Sequence, residues 1–167
     1  FFDDWWQIQK FYIASDMCTD DMWMGNTTQD PGEYRDLAHY TGNTYNAGNA
    51  CQNFWQYRYK GILRSNVAIE QIPKVVFENE SLKKRYIAEA KFLRAFHYFE
   101  LVRNFGGVPL VLGLKLPSEI TGIKRATVED TYAQIEKDLL EAIPDLPKRS
   151  EYDAMDLGRA TKGAAQG

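Results

Sequence analysis

Apolar and polar residues follow one another along this chain in blocks of differing rhythm, and each block predicts an element. Phe1, Trp5, Ile8 and Tyr12 recur at helical spacing, which predicts a first helix from the start to about Ala14. From Ser15 to about Asn53 no period is sustained. That stretch is rich in Asp, Asn, Gly and Thr and holds the explicit turn Pro31-Gly32, so it reads as a long irregular loop. Loops of this length are uncommon in compact chains and are usually functional, disordered or misassigned elements, and the interleaved rings here argue against disorder. Short strands or turns are expected within it, for example around "LAHYTGNTY".

Helical periodicity returns with "NFWQYRYKGILRSNVAIEQIP", where Trp55, Tyr59, Ile62 and Ile69 share a face flanked by Leu63 and Val67, and Pro73 marks the exit. The next helix is expected from about Ser81. It carries two apolar stripes: Leu82, Tyr86, Ala90, Leu93 and Phe96, then Ala88, Phe92, Ala95, Phe99 and Val102. Two adjacent stripes make a face too wide for one neighbour, so this helix is expected to be gripped on two sides, its alanines allowing close approach. Gly106 can take the left-handed conformation that ends a helix, and Pro109 cannot continue one. "VPLVLGLKLP" then runs extended. Thr127 is the N-cap of another helix, with Asp130 three residues on as in a capping box, and Val128, Tyr132, Ile135, Leu139 and Ala142 keep the period until Pro144. Finally Ala160, Gly163, Ala164 and Gly167 predict a small-residue edge on a further close-packed helix.

The order is helix pair, extended connector, helix pair, which is the logic of stacked helical hairpins. "Ala95-x-x-x-Phe99" matches a fragment of the tetratricopeptide pattern, although the repeat of about 34 residues does not hold. The predicted fold is therefore all-α, with degenerate tetratricopeptide-like helix pairs and a long irregular loop region, in one domain over 1–167.

Composition narrows the function classes. A formal charge of −3 gives no general reason to expect nucleic acid. No apolar run approaches the ~18 residues that cross a bilayer. All four tryptophans (Trp5, Trp6, Trp23, Trp55) lie in the first third, and residues 1–53 hold eight Asp/Glu against Lys10 and Arg35. The chain opens on Phe-Phe-Asp-Asp and ends as another helix begins, so it reads as an excerpt of a longer protein. Cys18 and Cys51 are not arranged as CxxC; they read as two unrelated buried thiols or, in an exported protein, as a disulfide.

The segment "AEAKFLRAFHYFELVRNFGGVPLV" closely resembles the signature of the SusD/RagB family, surface nutrient-binding lipoproteins of Bacteroidetes. Three further pieces match in order. "FWQYRYKGILRSNVAIEQI" places Trp55, Tyr59, Ile62, Arg64, Asn66 and Ile69 as in the family's preceding helix; "RATVEDTYAQIEKDLLEAIPDLP" and "GRATKGAA" resemble the next two. The likeness is firm from Phe54 onward. It departs at His97, where the family usually has tyrosine. The lipidated N-terminal cysteine of mature members is also missing from this excerpt, and Cys18 is not that cysteine. The resemblance implies an outer-membrane, surface-exposed binding protein rather than an enzyme. It would capture oligosaccharides, or in some members peptides, for a TonB-dependent, SusC-like transporter. It implies no cofactor.

Sugar recognition needs flat rings against C–H faces and short polar groups against hydroxyls. Residues 15–53 have that composition, and the candidates are Asp20, Asp21, Trp23, Asn26, Tyr34, Tyr40, Asn43 and Tyr45, together with Asn46. Within "DDMWMGN", Trp23 and Asn26 would present a ring and an amide at one spot. The competing reading is that these rings pin the loop to the helices and that Asn-Gly-Thr is turn chemistry. Asp3/Asp4 and Asp20/Asp21 are neighbours, but adjacency does not set the spacing of a glycosidase pair, so no catalytic residue is assigned. His39 and His97 lack metal-ligand spacing, and no metal is expected. Lys83-Lys84-Arg85 reads as the solvated start of a helix, and Gly106-Gly107 lacks the Lys-Ser/Thr of a phosphate loop. Two other classes remain open: a helical-repeat adaptor that binds peptide segments, and a carbohydrate-active hydrolase.

Overall fold

A computed structural model describes Asp16 and residues 18–22, 38–40 and 48–167. The helix expected over 1–14 lies outside them, as do most positions between Ser15 and Asn53. The chain divides into two compact units, Phe1–Tyr57 and Arg58–Gly167, which are described separately. Among the described residues the helices are α1 (Gly48–Gln71), α2 (Glu80–Phe105), α3 (Pro117–Ile120), α4 (Val128–Ala142) and α5 (Lys162–Gln166), and no sheet forms. The one pairing of extended backbone among them is an isolated antiparallel bridge between Pro109 and Arg125. The all-α expectation holds.

Helix α1 begins at Gly48, ahead of the expected Asn53. Extending an existing helix fixes one residue per hydrogen bond gained, which outweighs the weak propensity of Gly48 and Asn49. It ends at Gln71 in a 3-10 turn, Ile72–Lys74, with Pro73 in the turn as expected. Asn79 then caps α2, its side chain accepting the Leu82 N–H at 3.0 Å, so the helix starts at Glu80, one residue early.

Helix α2 is buried around most of its circumference. Ala88, Glu89 and Ala90 are all buried, as are Glu100, Leu101 and Val102, and three consecutive residues at 100° each cannot share one face. The two-stripe expectation thus catches Ala88, Ala90, Ala95 and Val102 but misses the deepest apolar side chains, Tyr98 and Leu101. Phe99, from the second stripe, is 36% exposed, with Tyr132 edge-on to its ring and the Arg103 guanidinium over it. On one side α2 packs against α4. On another it meets α1 so closely that a β-carbon on Gly61 would sit 1.9 Å from His97 Nε2. His97 is therefore a packed residue, buried where α1 has no side chain.

The stop after α2 needs both glycines. Gly106 has φ 70° and ψ −150°, with its N–H on Val102 O at 3.0 Å. That is a glycine conformation, but its ψ differs from the left-handed helical cap expected. Gly107 explains the difference: a β-carbon there would lie 2.0 Å from Ala126 O, so the chain turns tightly to run against the 126–127 backbone. Ala126 N–H donates to Val108 O at 3.2 Å across this contact.

The extended connector after Val108 is held by side chains rather than by a strand. Tyr59 Oη donates to Pro109 O at 2.7 Å. Tyr98 Oη accepts from Val111 N at 2.7 Å and donates to Val111 O at 3.1 Å. Burial pushes the Tyr98 phenol up to about 12, which keeps the proton for that donation. Asn66 Nδ2 donates to Val111 O (2.8 Å) and Gly113 O (3.3 Å), and Leu114 N donates to Glu70 Oε1 (2.7 Å).

Behind the connector lies a buried polar network. Arg94 forks onto Asp138 through Nε–Oδ2 (2.8 Å) and Nη2–Oδ1 (2.7 Å). Its Nη1 donates to Asn66 Oδ1 (2.9 Å) and Leu112 O (3.2 Å), and Gln134 Nε2 adds a bond to Asp138 Oδ1 (3.0 Å). This network corrects the expected face of α4. Thr131, Ile135, Asp138 and Ala142 are buried, whereas Val128 and Tyr132 are exposed. The helix is rotated to aim a carboxylate at Arg94. Its start is as expected, with Thr127 Oγ1 accepting from Asp130 N at 3.0 Å. The last helix also needs correction. Ala165 is its buried residue, while Gly163, Ala164 and Gly167 of the predicted edge are exposed. Ala165 completes a small cluster with Ala88, Ala142 and Leu146, against which Ala160 and Phe92 pack.

Candidate functional site

Trp23, Asn26, Tyr34, Asn43 and Tyr45 lie outside the described residues, whereas Asp20, Asp21 and Tyr40 lie within them, in the first unit. Two turns carry these three. In the first, Thr19 donates twice to Asp16 O, through N at 3.1 Å and Oγ1 at 2.7 Å, and Asp21 N donates back to Thr19 Oγ1 at 3.3 Å. The Thr hydroxyl thus closes the turn and leaves the Asp20 and Asp21 side chains exposed. In the second turn Tyr40 has φ 52°, a conformation that non-glycine residues occupy rarely and at a cost. Its ring is 77% exposed, and its hydroxyl donates to Cys18 O at 2.5 Å.

That bond joins two turns 22 residues apart and places Tyr40 beside the Asp20/Asp21 turn. The tethered hydroxyl limits the ring's freedom while its faces stay open, and the ionised carboxylates nearby can accept hydrogen bonds but not donate them. A tethered ring beside two exposed carboxylates offers an apolar face and hydrogen-bond acceptors at one place. Cys18 and Cys51 form no disulfide; Cys18 is half-buried and Cys51 exposed, so the expectation of two buried thiols is corrected. Burial pushes the Cys18 thiol up, against the hydrogen bond from Tyr40.

Elsewhere the polar clusters serve the scaffold. Lys83 pairs with Glu80 at 3.7 Å and Arg85 with Asp156 at 3.0 Å, so two members of the Lys83-Lys84-Arg85 run are paired within the second unit while Lys84 is exposed. A concavity of about 450 Å³ opens beside the start of α2, bordered by Asn79, Leu82, Arg85, Pro144, Pro147 and Lys162. Nothing in local sequence marks it, because its walls come from three separated segments. Among the described residues no group of three or more His, Cys, Asp or Glu side chains is placed to hold a metal, and no helix is long and apolar enough to cross a membrane.

Residues 8–167 match a family model described as starch-binding and associating with the outer membrane. The chain belongs to the SusD-like family. SusD-like protein P38 of Formosa agariphila is 36% identical over 93 residues, which make up 55% of this chain and 18% of that protein. A laminarin-binding SusD-like protein aligns in structure with 97% of this chain and 37% of its own, at 28% identity and a TM-score of 0.76. Surface glycan-binding protein A of Bacteroides uniformis aligns with 92% of this chain and 33% of its own, at 28% identity and a TM-score of 0.77. The chain spans 18% and 19% of the length of the two curated relatives it matches. The SusD-like signature also gains a physical meaning in this chain. Tyr59, Asn66 and Arg94 bind the backbone of the Gly-Gly-Val-Pro connector, so these signature positions build the scaffold.

Proposed function

We propose that this SusD-like chain captures a glycan on the turns around Asp20, Asp21 and Tyr40, with Trp23, Asn26, Tyr34, Asn43 and Tyr45 from the same stretch adding rings and amides. The observation that carries this reading is Tyr40: an exposed ring, held in an uncommon backbone conformation, its hydroxyl tied to the turn that presents two carboxylates. Pinning the loop to the helices does not account for a ring so exposed. The family description, starch-binding and associating with the outer membrane, and the laminarin binding of one relative support a glucan as the ligand class.

In this proposal binding is stacking plus hydroxyl hydrogen bonding on a preformed surface, without turnover. The helix pairs act as degenerate tetratricopeptide-like units that support the ligand face. A lipid anchor holds the full-length protein on the cell surface, and a TonB-dependent, SusC-like transporter receives the oligosaccharide. Calorimetric titration of the protein with laminari-oligosaccharides, malto-oligosaccharides and peptides tests it. Tyr40→Ala is expected to weaken the preferred glucan by about tenfold, the cost of about one stacking contact, with the circular dichroism spectrum unchanged. Equal affinity in parent and variant would remove Tyr40 from the site. Preferential binding of peptides would favour the adaptor reading.

A further inference from the structure

Residues 148–161, between α4 and α5, form a loop whose ends meet: Lys162 N donates to Pro147 O at 2.9 Å. This is the closed-neck form of an Ω-loop. The backbone bonds inside it are short-range, Glu151 N to Lys148 O, Tyr152 N to Arg149 O, Asp156 N to Asp153 O and Arg159 N to Asp156 O. Tyr152 is the one buried side chain of the fourteen, and Met155 is 96% exposed.

At the loop's end Ala160 packs on the cluster that holds Ala88 of α2, and Tyr152 Oη donates to Ala160 O at 2.6 Å; ahead of Ala160 the loop meets α2 through charge. Arg85 Nη2 meets Asp156 Oδ2 at 3.0 Å, and Arg159 meets Asp156 Oδ1 through Nε at 2.7 Å and Glu89 Oε2 through Nη1 at 2.8 Å. Arg85 Nε lies 3.4 Å from Glu89 Oε1, which also accepts from Tyr152 Oη at 3.2 Å. The Arg85 guanidinium covers the Tyr152 and Tyr86 rings, and Arg159 covers Tyr86. Two arginines and two carboxylates thus alternate around Tyr152. Glu89, the member of this ring buried in α2, touches Arg85, Tyr152 and Arg159 at once.

We propose that residues 148–159 are a flap latched to α2 by this ring of alternating charge, which opens as a unit while the neck and the packed Ala160 stay in place. Partly exposed ion pairs are individually weak and screened by salt, whereas the helices beneath are held by buried packing. Such a segment opens at lower free energy than the body that carries it. Opening widens the 450 Å³ concavity, because Arg85 and Glu151 stand in its wall beside Pro147 and Lys162 at the neck.

Hydrogen exchange resolved to single amides tests the latch on the whole protein. In Glu89→Gln, which keeps the shape and removes the charge, the amides of Glu151, Tyr152, Asp156 and Arg159 are expected to exchange about tenfold faster. Those of α2, α4 and the Lys162 neck keep their parent rates. Raising salt to about 1 M, where the screening length falls to about 3 Å, accelerates the same four amides in the parent. If Glu89→Gln does not fold, Arg159→Gln decides, because that side chain is 40% exposed. Unchanged loop amides in the folded variants would overturn the proposal. So would loop amides that move only together with those of α2 and α4.

Discussion

Arg94 and Arg85 lie on the same helix, and both meet carboxylates, yet they sit in opposite physical regimes. The Arg94 side chain is 8% exposed and its partner Asp138 1%; Arg85 is 18% exposed and Asp156 27%. On the dry side the geometry is bidentate, and the remaining donor of the fork is taken by Asn66 and a connector carbonyl. On the wet side four charges share contacts around two rings, open in part to water. The first arrangement can specify a unique packing of α2, α4 and the connector. The second can be undone locally without disturbing that packing. One helix thus carries a permanent joint and a releasable one.

The difference is sharpest in what single changes cost. Asp138→Ala leaves the Arg94 charge buried without its fork and is expected to lower the unfolding free energy by about 3–5 kcal/mol in urea titration. Replacing both partners, as in Arg94→Met with Asp138→Leu, should recover most of that loss, because the buried charge disappears with its partner. A double variant as unstable as the single one would show that the joint needs its polarity.

His97 belongs to the dry side and gives it a pH signature. Burial, then the nearby Arg58 charge, lowers its pKa to about 3. The unfolded chain takes up that proton near its ordinary value of about 6.5, so between these limits the unfolded state binds more protons than the native one. The His97 contribution is therefore fully present above about pH 6.5 and is lost as pH falls toward about 3. Denaturation midpoints measured across that window should fall with acidification, and His97→Gln should flatten the fall. At the wet joint the expected effect on global stability is the smallest. Arg159→Gln should lower the unfolding free energy by no more than about 1.4 kcal/mol, the equivalent of a tenfold change in loop opening, read by urea titration. A loss of several kcal/mol there would erase the contrast.

Much of the helical scaffold was legible in the chain because its signals are local. Pro73, Gly106 and Thr127 each act through their own backbone and neighbours, and each ends or starts a helix where the sequence places it. What resisted reading was long-range. Asp138 looks like a surface carboxylate until Arg94 arrives from another helix, and that pairing rotates α4 away from its apolar period. Stripe logic likewise undercounts a helix buried on most sides, which is why Tyr98 and Leu101 were missed. The candidate site was legible as composition, in rings and short polar groups over 15–53. Its geometry was not. The bond from Tyr40 to Cys18 spans 22 residues, and no local rule joins them.

The side-chain bonds along the connector have a consequence for association between molecules. "VPLVLGLKLP" is largely apolar and carries Leu112, Leu114 and Leu116 on its outside, although Pro109, Gly113 and Pro117 already weaken it as a strand. An open backbone edge there would template pairing between molecules. Tyr59, Asn66, Glu70, Arg94 and Tyr98 occupy Pro109 O, the Val111 amide and carbonyl, Leu112 O, Gly113 O and the Leu114 amide. These hydrogen-bonding groups of the connector are therefore already taken and are not offered to a second strand.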